Sequence, residues 1–240
     1  EATLTFFELG THTVELEVSD GELSDTFRFE IELQDTRSPE PAIAQDQIPT
    51  PTNQTAVDVT GTVTEAFRLS EVSVESSAGT PVIASFSGPA PDYTYTASAV
   101  GLQEGPNSIT VLATDSKGNT GTATADILVD WTAPVVMATE PMDGSTVFSG
   151  SFDLVVQATD PSQTVASGVA TVGVTVEDGP SGTGVVPEGD GFKVSGPTEG
   201  AYALTLLVTV TDDAGNVGTQ EITIQVVNNR PPIAVAAVEG

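Results

Sequence analysis

One segment recurs three times in this chain at a nearly constant spacing, and that spacing limits what the chain can fold into. The copies read HTVELEVSDGELSDTFRFEIELQDTRSP (12–39), NSITVLATDSKGNTGTATADILVDWTAP (107–134) and YALTLLVTVTDDAGNVGTQEITIQVVNNRPP (202–232). Asp20, Asp115 and Asp212 head the turns, 95 and 97 residues apart, and Pro39, Pro134 and Pro232 close the copies, 95 and 98 apart. A period this long is a whole small domain and not a solenoid unit. About 95 residues suits one β-sandwich, so the 240 residues hold two complete modules with partial ones at both ends. The boundaries predicted are 1–38, 39–133, 134–230 and 231–240. Residues 1–38 match only the later part of a module and 231–240 only the beginning of one. The chain therefore reads as a segment of a longer array.

The strands follow from period-two alternation. His12, Val14, Leu16 and Val18 are predicted inward, as are Ile109, Val111 and Ala113, and Tyr202, Leu204, Leu206, Val208 and Val210. The third copy is two residues longer before its Asp, which keeps the same face inward. After each turn a second strand follows, with Phe27, Phe29, Ile31 and Leu33, then Ile127 and Val129, then Ile222, Ile224 and Val226 inward. AVDVTGTVT (56–64) corresponds to SFDLVVQAT (151–159), and SEVSVES (70–76) to ATVGVTVE (170–177). No long segment carries a 3.6-residue period. The expectation is an all-β chain of antiparallel sandwiches with about seven strands each.

Composition narrows the function. The net charge is −28, from 34 Asp plus Glu against 6 Lys plus Arg, too few bases for nucleic acid or an anionic membrane surface. No apolar run reaches the ~18 residues of a membrane span. There is no Cys, which excludes disulfides and thiolate chemistry. One His, and no G-x-S-x-G, phosphate loop or H-E-x-x-H, leave catalysis without a foothold. The chain is read as no enzyme.

The turns and linkers resemble those of bacterial immunoglobulin-like (Ig-like) repeats. ATDSKGNTGTATADILVDWTAP and VTDDAGNVGTQEITIQVV look like their T-D-x-x-G-N turn, last strand and D-x-x-x-P linker. HTVELEVSDGELSDT and NNRPPIAVA are similar to the edges of polycystic-kidney-disease-type (PKD) domains. The resemblance implies tandem Ig-like sandwiches in an extracellular or cell-surface protein. Asn228 departs from it, standing where the other linkers carry Asp35 and Asp130, and SDGELSDT lacks the Gly-Asn of the other turns.

Two acidic sets match between copies. In this topology the incoming linker, the loop after the second strand and the last hairpin turn meet at one tip. That places Asp35, Glu65 and Asp115 together, spaced 30 and 50 apart, and Asp130, Asp160 and Asp212, spaced 30 and 52. Two readings stand. Each acid caps its own turn amides, or each trio holds Ca²⁺, whose 6–8 oxygen ligands would turn carboxylate repulsion into attraction. Linker calcium in cadherins and in some bacterial Ig-like adhesins is similar in arrangement. Gly118 with Asn119, and Gly215 with Asn216, read as turn residues tolerating positive φ. Trp131 reads as a packing residue of the linker, Tyr202 as a tyrosine corner, and Tyr93 and Tyr95 as one packed face or a carbohydrate contact.

Two functions of different class follow. One is a spacer or stalk in a surface or adhesion protein, touching neighbouring modules and a cell-surface or matrix ligand. The other is an accessory carbohydrate-binding module of a secreted hydrolase. Short proline linkers favour extended conformations, and like-charged modules repel side by side. The modules are thus predicted to lie end to end. Small-angle scattering should give a rod-like profile, and a compact globular profile in moderate salt would overturn the expectation.

Overall fold

The computed structural model describes residues 3–5, 8–161 and 165–228. The stretch 229–240, with Pro232 and the expected further module, lies outside them. Among the described residues the chain is all β, with a single three-residue 3-10 turn at Gln45–Gln47. It forms tandem Ig-like β-sandwiches built from four-stranded sheets. Contacts divide it into two compact units, Glu1–Gln47 with Asp58–Val100 and Ile109–Ala125, and Ile48–Val57 with Gly101–Ser108 and Asp126–Gly240.

The first hairpin pairs β1 (Gly10–Ser19) with β2 (Ser24–Leu33) in continuous antiparallel register, from Gly10↔Leu33 to Ser19↔Ser24. Asp20 turns it, accepting the Glu22 and Leu23 amides. Here one expectation fails. Leu16, Val18 and Phe27 are 54%, 64% and 65% exposed, although the alternation marks them as inward. The reason is physical: β1 and β2 form a two-stranded sheet on their own. Alternation selects a face, but burial needs a second layer over it.

The next strands are β3 (Glu40–Ile43), β4 (Ala56–Thr64), β5 (Leu69–Ser76), β6 (Val82–Ile83), β7 (Ser85–Ser87), β8 (Asp92–Gly101), β9 (Gly105–Asp115) and β10 (Thr120–Val129). They form the sheets β3-β4-β8-β7 and β10-β9-β5-β6. Then come β11 (Val135–Glu140), β12 (Thr146–Val147), β13 (Ser151–Thr159), β14 (Val169–Asp178), β15 (Gly184–Glu188), β16 (Gly191–Ser195), β17 (Gly200–Asp212) and β18 (Val217–Asn228). Their sheets are β11-β13-β16-β15 and β12-β18-β17-β14. In this second set the opening strand is split. β11 pairs antiparallel with β13, and β12 then crosses to pair parallel with β18. Each set thus has eight strands where about seven are expected, because short edge pieces are counted separately.

The cores fall where the alternation puts them. Ile109, Val111 and Ala113 are fully buried on β9, and Ile127 and Val129 are buried on β10. Leu204, Leu206, Val208 and Val210 on β17 meet Ile222, Ile224 and Val226 on β18, with Leu154 and Val194 opposite, in one cluster. Tyr202 donates its hydroxyl to the Pro197 carbonyl at 3.3 Å, as a tyrosine corner does. Tyr95 is buried and donates to the Ala42 carbonyl, and burial pushes its phenol up to about 12.

Candidate functional site

Three elements bring the first acidic trio together. Asp35 follows β2, Glu65 immediately follows β4, and Asp115 ends β9. One carboxylate oxygen from each lies within 4.8 Å of the other two, and all three residues are buried. Asp130, Asp160 and Asp212 repeat the arrangement, again with one oxygen from each within 4.8 Å of the others, and with Asp160 half-buried. The structure therefore assembles every acid of both expected sets.

The hydrogen bonds separate the capping reading from the ligand reading oxygen by oxygen. Asp115 is a complete turn cap. Its Oδ1 accepts the Lys117 and Asn119 amides at 2.7 and 2.9 Å, and its Oδ2 accepts the Asn119 side chain at 2.7 Å. Asp212 does the same with the Asn216 amide and side chain. Asp35 and Glu65 differ. Each gives one oxygen to the amide two residues on, Arg37 and Phe67 respectively. Asp35 Oδ2 and Glu65 Oε2 are buried and have no partner. At 8% and 2% exposure these residues have lost the water that would otherwise solvate them. Among the described residues only one other buried side-chain oxygen is orphaned, Asp160 Oδ1, in the second trio. In that trio Ser167 supplies donors. Its amide donates to Asp130 Oδ2 at 2.7 Å, and its hydroxyl and the Gly168 amide donate to Asp160 Oδ2.

The Gly-Asn pairs carry more than the turn. Gly118 and Gly215 take positive φ as expected, but Asn119 and Asn216 are not in the left-handed region. Instead their side-chain amides reach back to the linker, donating to the Asp35 carbonyl at 3.1 Å and the Asp130 carbonyl at 2.7 Å. Each Asn thereby binds a turn carboxylate and the linker backbone together. Asn228, the departure in the third linker, donates to the Pro197 carbonyl. Trp131 donates its ring N–H to the Gln54 carbonyl.

Proton affinities follow these contacts. Burial pushes the Asp115 carboxyl up, but donation by the Asn119 side chain and by the Lys117, Asn119 and Gly118 amides outweighs it, leaving the group below its ordinary 3.8. Asp130 is likewise raised by burial and brought below 3.8 by the Ser167 amide and hydroxyl, the Thr132 amide and Asp160. A carboxyl depressed in the folded state stabilises above its unfolded pKa and loses that contribution as pH falls through the folded value. Thermal melts in chelator should thus hold steady near neutrality and decline in acid below about pH 4, more steeply than melts of Asp115→Asn/Asp130→Asn. Parallel acid profiles would remove these two caps from the account.

Residues 39–131 match the family model described as glucodextranase, domain B. No curated protein matches the sequence. Among solved structures, the fibronectin(III)-like modules of Clostridium thermocellum CbhA are 16% identical, with a TM-score of 0.41, covering 83% of this chain and 100% of that one. Mouse clustered PcdhgC3 EC1-3 is 13% identical, with a TM-score of 0.43 and coverage of 92% and 77%. Protocadherin Gamma B7 extracellular cadherin domains 1-4 are 14% identical, with a TM-score of 0.45 and coverage of 91% and 58%. The fold assignment stands on the strands and their register.

Proposed function

We propose that this chain is a non-catalytic, extracellular spacer segment of a surface or secreted protein, with Ca²⁺ held in its acidic trios. One observation carries the calcium part: two buried carboxylate oxygens, Asp35 Oδ2 and Glu65 Oε2, have no donor in a trio whose third acid is fully capped. Three oxygens within 4.8 Å suit an ion that sits 2.3–2.6 Å from its ligands. A hard divalent cation would satisfy both orphans and cancel the repulsion. It would also fasten the segment after β2 to the turn after β4 and to the β9–β10 turn.

The two trios should differ in affinity. Ser167 and Gly168 already donate into the second one, which leaves a single orphan there on a half-buried residue. The first trio is the tighter site. Titration calorimetry of the whole chain with CaCl₂ after chelation tests the reading. Loss of the tighter binding phase in Glu65→Gln supports it, and no heat at millimolar calcium overturns it.

The match to glucodextranase, domain B, favours a second reading, an accessory module of a secreted hydrolase. Carbohydrate binding by the chain would distinguish it from a bare spacer.

A further inference from the structure

Apart from the trios, one place among the described residues combines an arginine without a carboxylate partner, aromatic walls and serine hydroxyls. A cavity of about 410 Å³ is lined by Arg68, Leu69, Ser70, Phe86, Tyr93 and Ser116. Its volume lies within the range of small-molecule sites. The Phe86 and Tyr93 rings stand edge to face with centroids 6.1 Å apart, and the Tyr93 hydroxyl is tied to the Phe67 carbonyl at 2.9 Å. That bond fixes one wall. The Ser116 amide donates to the Arg68 carbonyl at 2.8 Å and holds the two polar rims together.

The charge distribution is unusual for this chain. Arg28 pairs with Glu15, Arg37 with Glu40 and Lys193 with Asp153. Among the described residues only Arg68 and Lys117 lack a carboxylate partner, in a protein of net charge −28. Arg68 lines the cavity, and Lys117 follows Ser116 in the chain. With so many acids available, an exposed guanidinium left without one is free to take an external anion.

We propose that this cavity binds a carboxylate-bearing pyranose, a uronic acid unit of a polysaccharide. The planar guanidinium of Arg68 matches a carboxylate in a two-pronged hydrogen bond. The Phe86 and Tyr93 rings offer an apolar wall to the C–H edge of the sugar, and Ser70 and Ser116 serve as donors or acceptors to its hydroxyls. The net negative charge opposes approach from a distance, but at 0.15 M salt it is screened beyond about 8 Å, so the nearest cation decides. This inference does not depend on the calcium reading, because none of the six lining residues belongs to a trio.

The probe is a short oligogalacturonate, with its fully methyl-esterified form as the neutral control, titrated into the whole chain with chelator and again with calcium. Binding of the acid form should be at least roughly tenfold tighter than of the ester. Arg68→Gln should abolish that preference, and Phe86→Ala should weaken both forms. Arg68 is exposed, so an unchanged melting temperature of Arg68→Gln will show that loss of binding is not loss of fold. Equal affinity for acid and ester, or a preference that survives Arg68→Gln, overturns the proposal. So does absence of binding in the millimolar range. Binding that proceeds in chelator leaves the trios out of it, and failure of calcium binding leaves the cavity untouched.

Discussion

Gly218→Ala and Gly121→Ala should each lower the melting temperature of their unit by roughly 12–24 °C, corresponding to about 3 kcal/mol. The two glycines are equivalent in the repeat, three residues after Gly215 and Gly118. At each, an added Cβ would fall well inside the van der Waals shell of a linker carbonyl oxygen, that of Pro134 for Gly218 and that of Pro39 for Gly121. The obstacle is backbone, so no side-chain rotation relieves it. Either the linker must lift or the last strand must bend. Lifting the linker would also strain the neighbouring bond from Asn216 to the Asp130 carbonyl, or from Asn119 to that of Asp35. Gly184→Ala is the control, since its Cβ would meet nothing within 4 Å and its φ is ordinary. It should stay within about 0.5 kcal/mol of the parent. Differential scanning calorimetry decides, and a Gly218→Ala chain that melts with the control would show that the linker does not dock on β18.

The long strands were legible because each carries a complete two-residue pattern over nine or more positions. AVDVTGTVT and SFDLVVQAT coincide with β4 and β13 to the residue. The edge strands were not. Val82–Ile83, Ser85–Ser87 and Thr146–Val147 have two or three residues, too few for any alternation to declare itself. The meeting of Asp35, Glu65 and Asp115 was readable from topology plus nearly equal spacing, since the same elements end at the same tip in each module. What the acids do was not, because it depends on individual oxygens: Asp115 and Glu65 look alike as letters, yet one is fully capped and the other half orphaned. The role of Asn119 and Asn216 was missed for a related reason. Gly-Asn is ordinary turn chemistry, and only the linker's return past the turn reveals the second use of the amide. A signal did exist in the shared G-N-x-G spelling of both copies, whose last glycine lies under the linker. Arg68 gave no motif. Phe86, Tyr93 and Ser116, which line the cavity with it, come from strands and turns far apart in sequence, and its lack of a counter-ion is visible only in three dimensions.

Calcium should raise the melting temperature of the parent chain, and Glu65→Gln should remove the part of that rise owed to the first trio while leaving the calcium-free protein equal or more stable. The sign reversal distinguishes a binding site from a turn cap. Without an ion, carboxylate oxygens within 4.8 Å repel by about 3.5 kcal/mol per charged pair at an effective dielectric of 20. Gln keeps the carbonyl oxygen that accepts the Phe67 amide at 2.8 Å but removes the charge, so the turn survives and the repulsion falls. With an ion, the parent gains about 1.4 kcal/mol when free calcium is ten times Kd and about 2.7 kcal/mol at a hundred times. For a module of this size the larger figure is a shift of roughly 11–22 °C. Asp160→Asn, in the trio that Ser167 already occupies, should erase less of the gain than Glu65→Gln. Magnesium is the informative competitor, since it demands near-octahedral oxygens at 2.0–2.1 Å. A wide, three-acid cluster with each of its acids already bent toward turn amides fits it poorly, so the shift with magnesium should be smaller at equal concentration. If Glu65→Gln destabilises the chelated protein and calcium moves neither melt, the buried acids are structural caps, and the linkers owe their order to Asn119, Asn216 and the glycines beneath them.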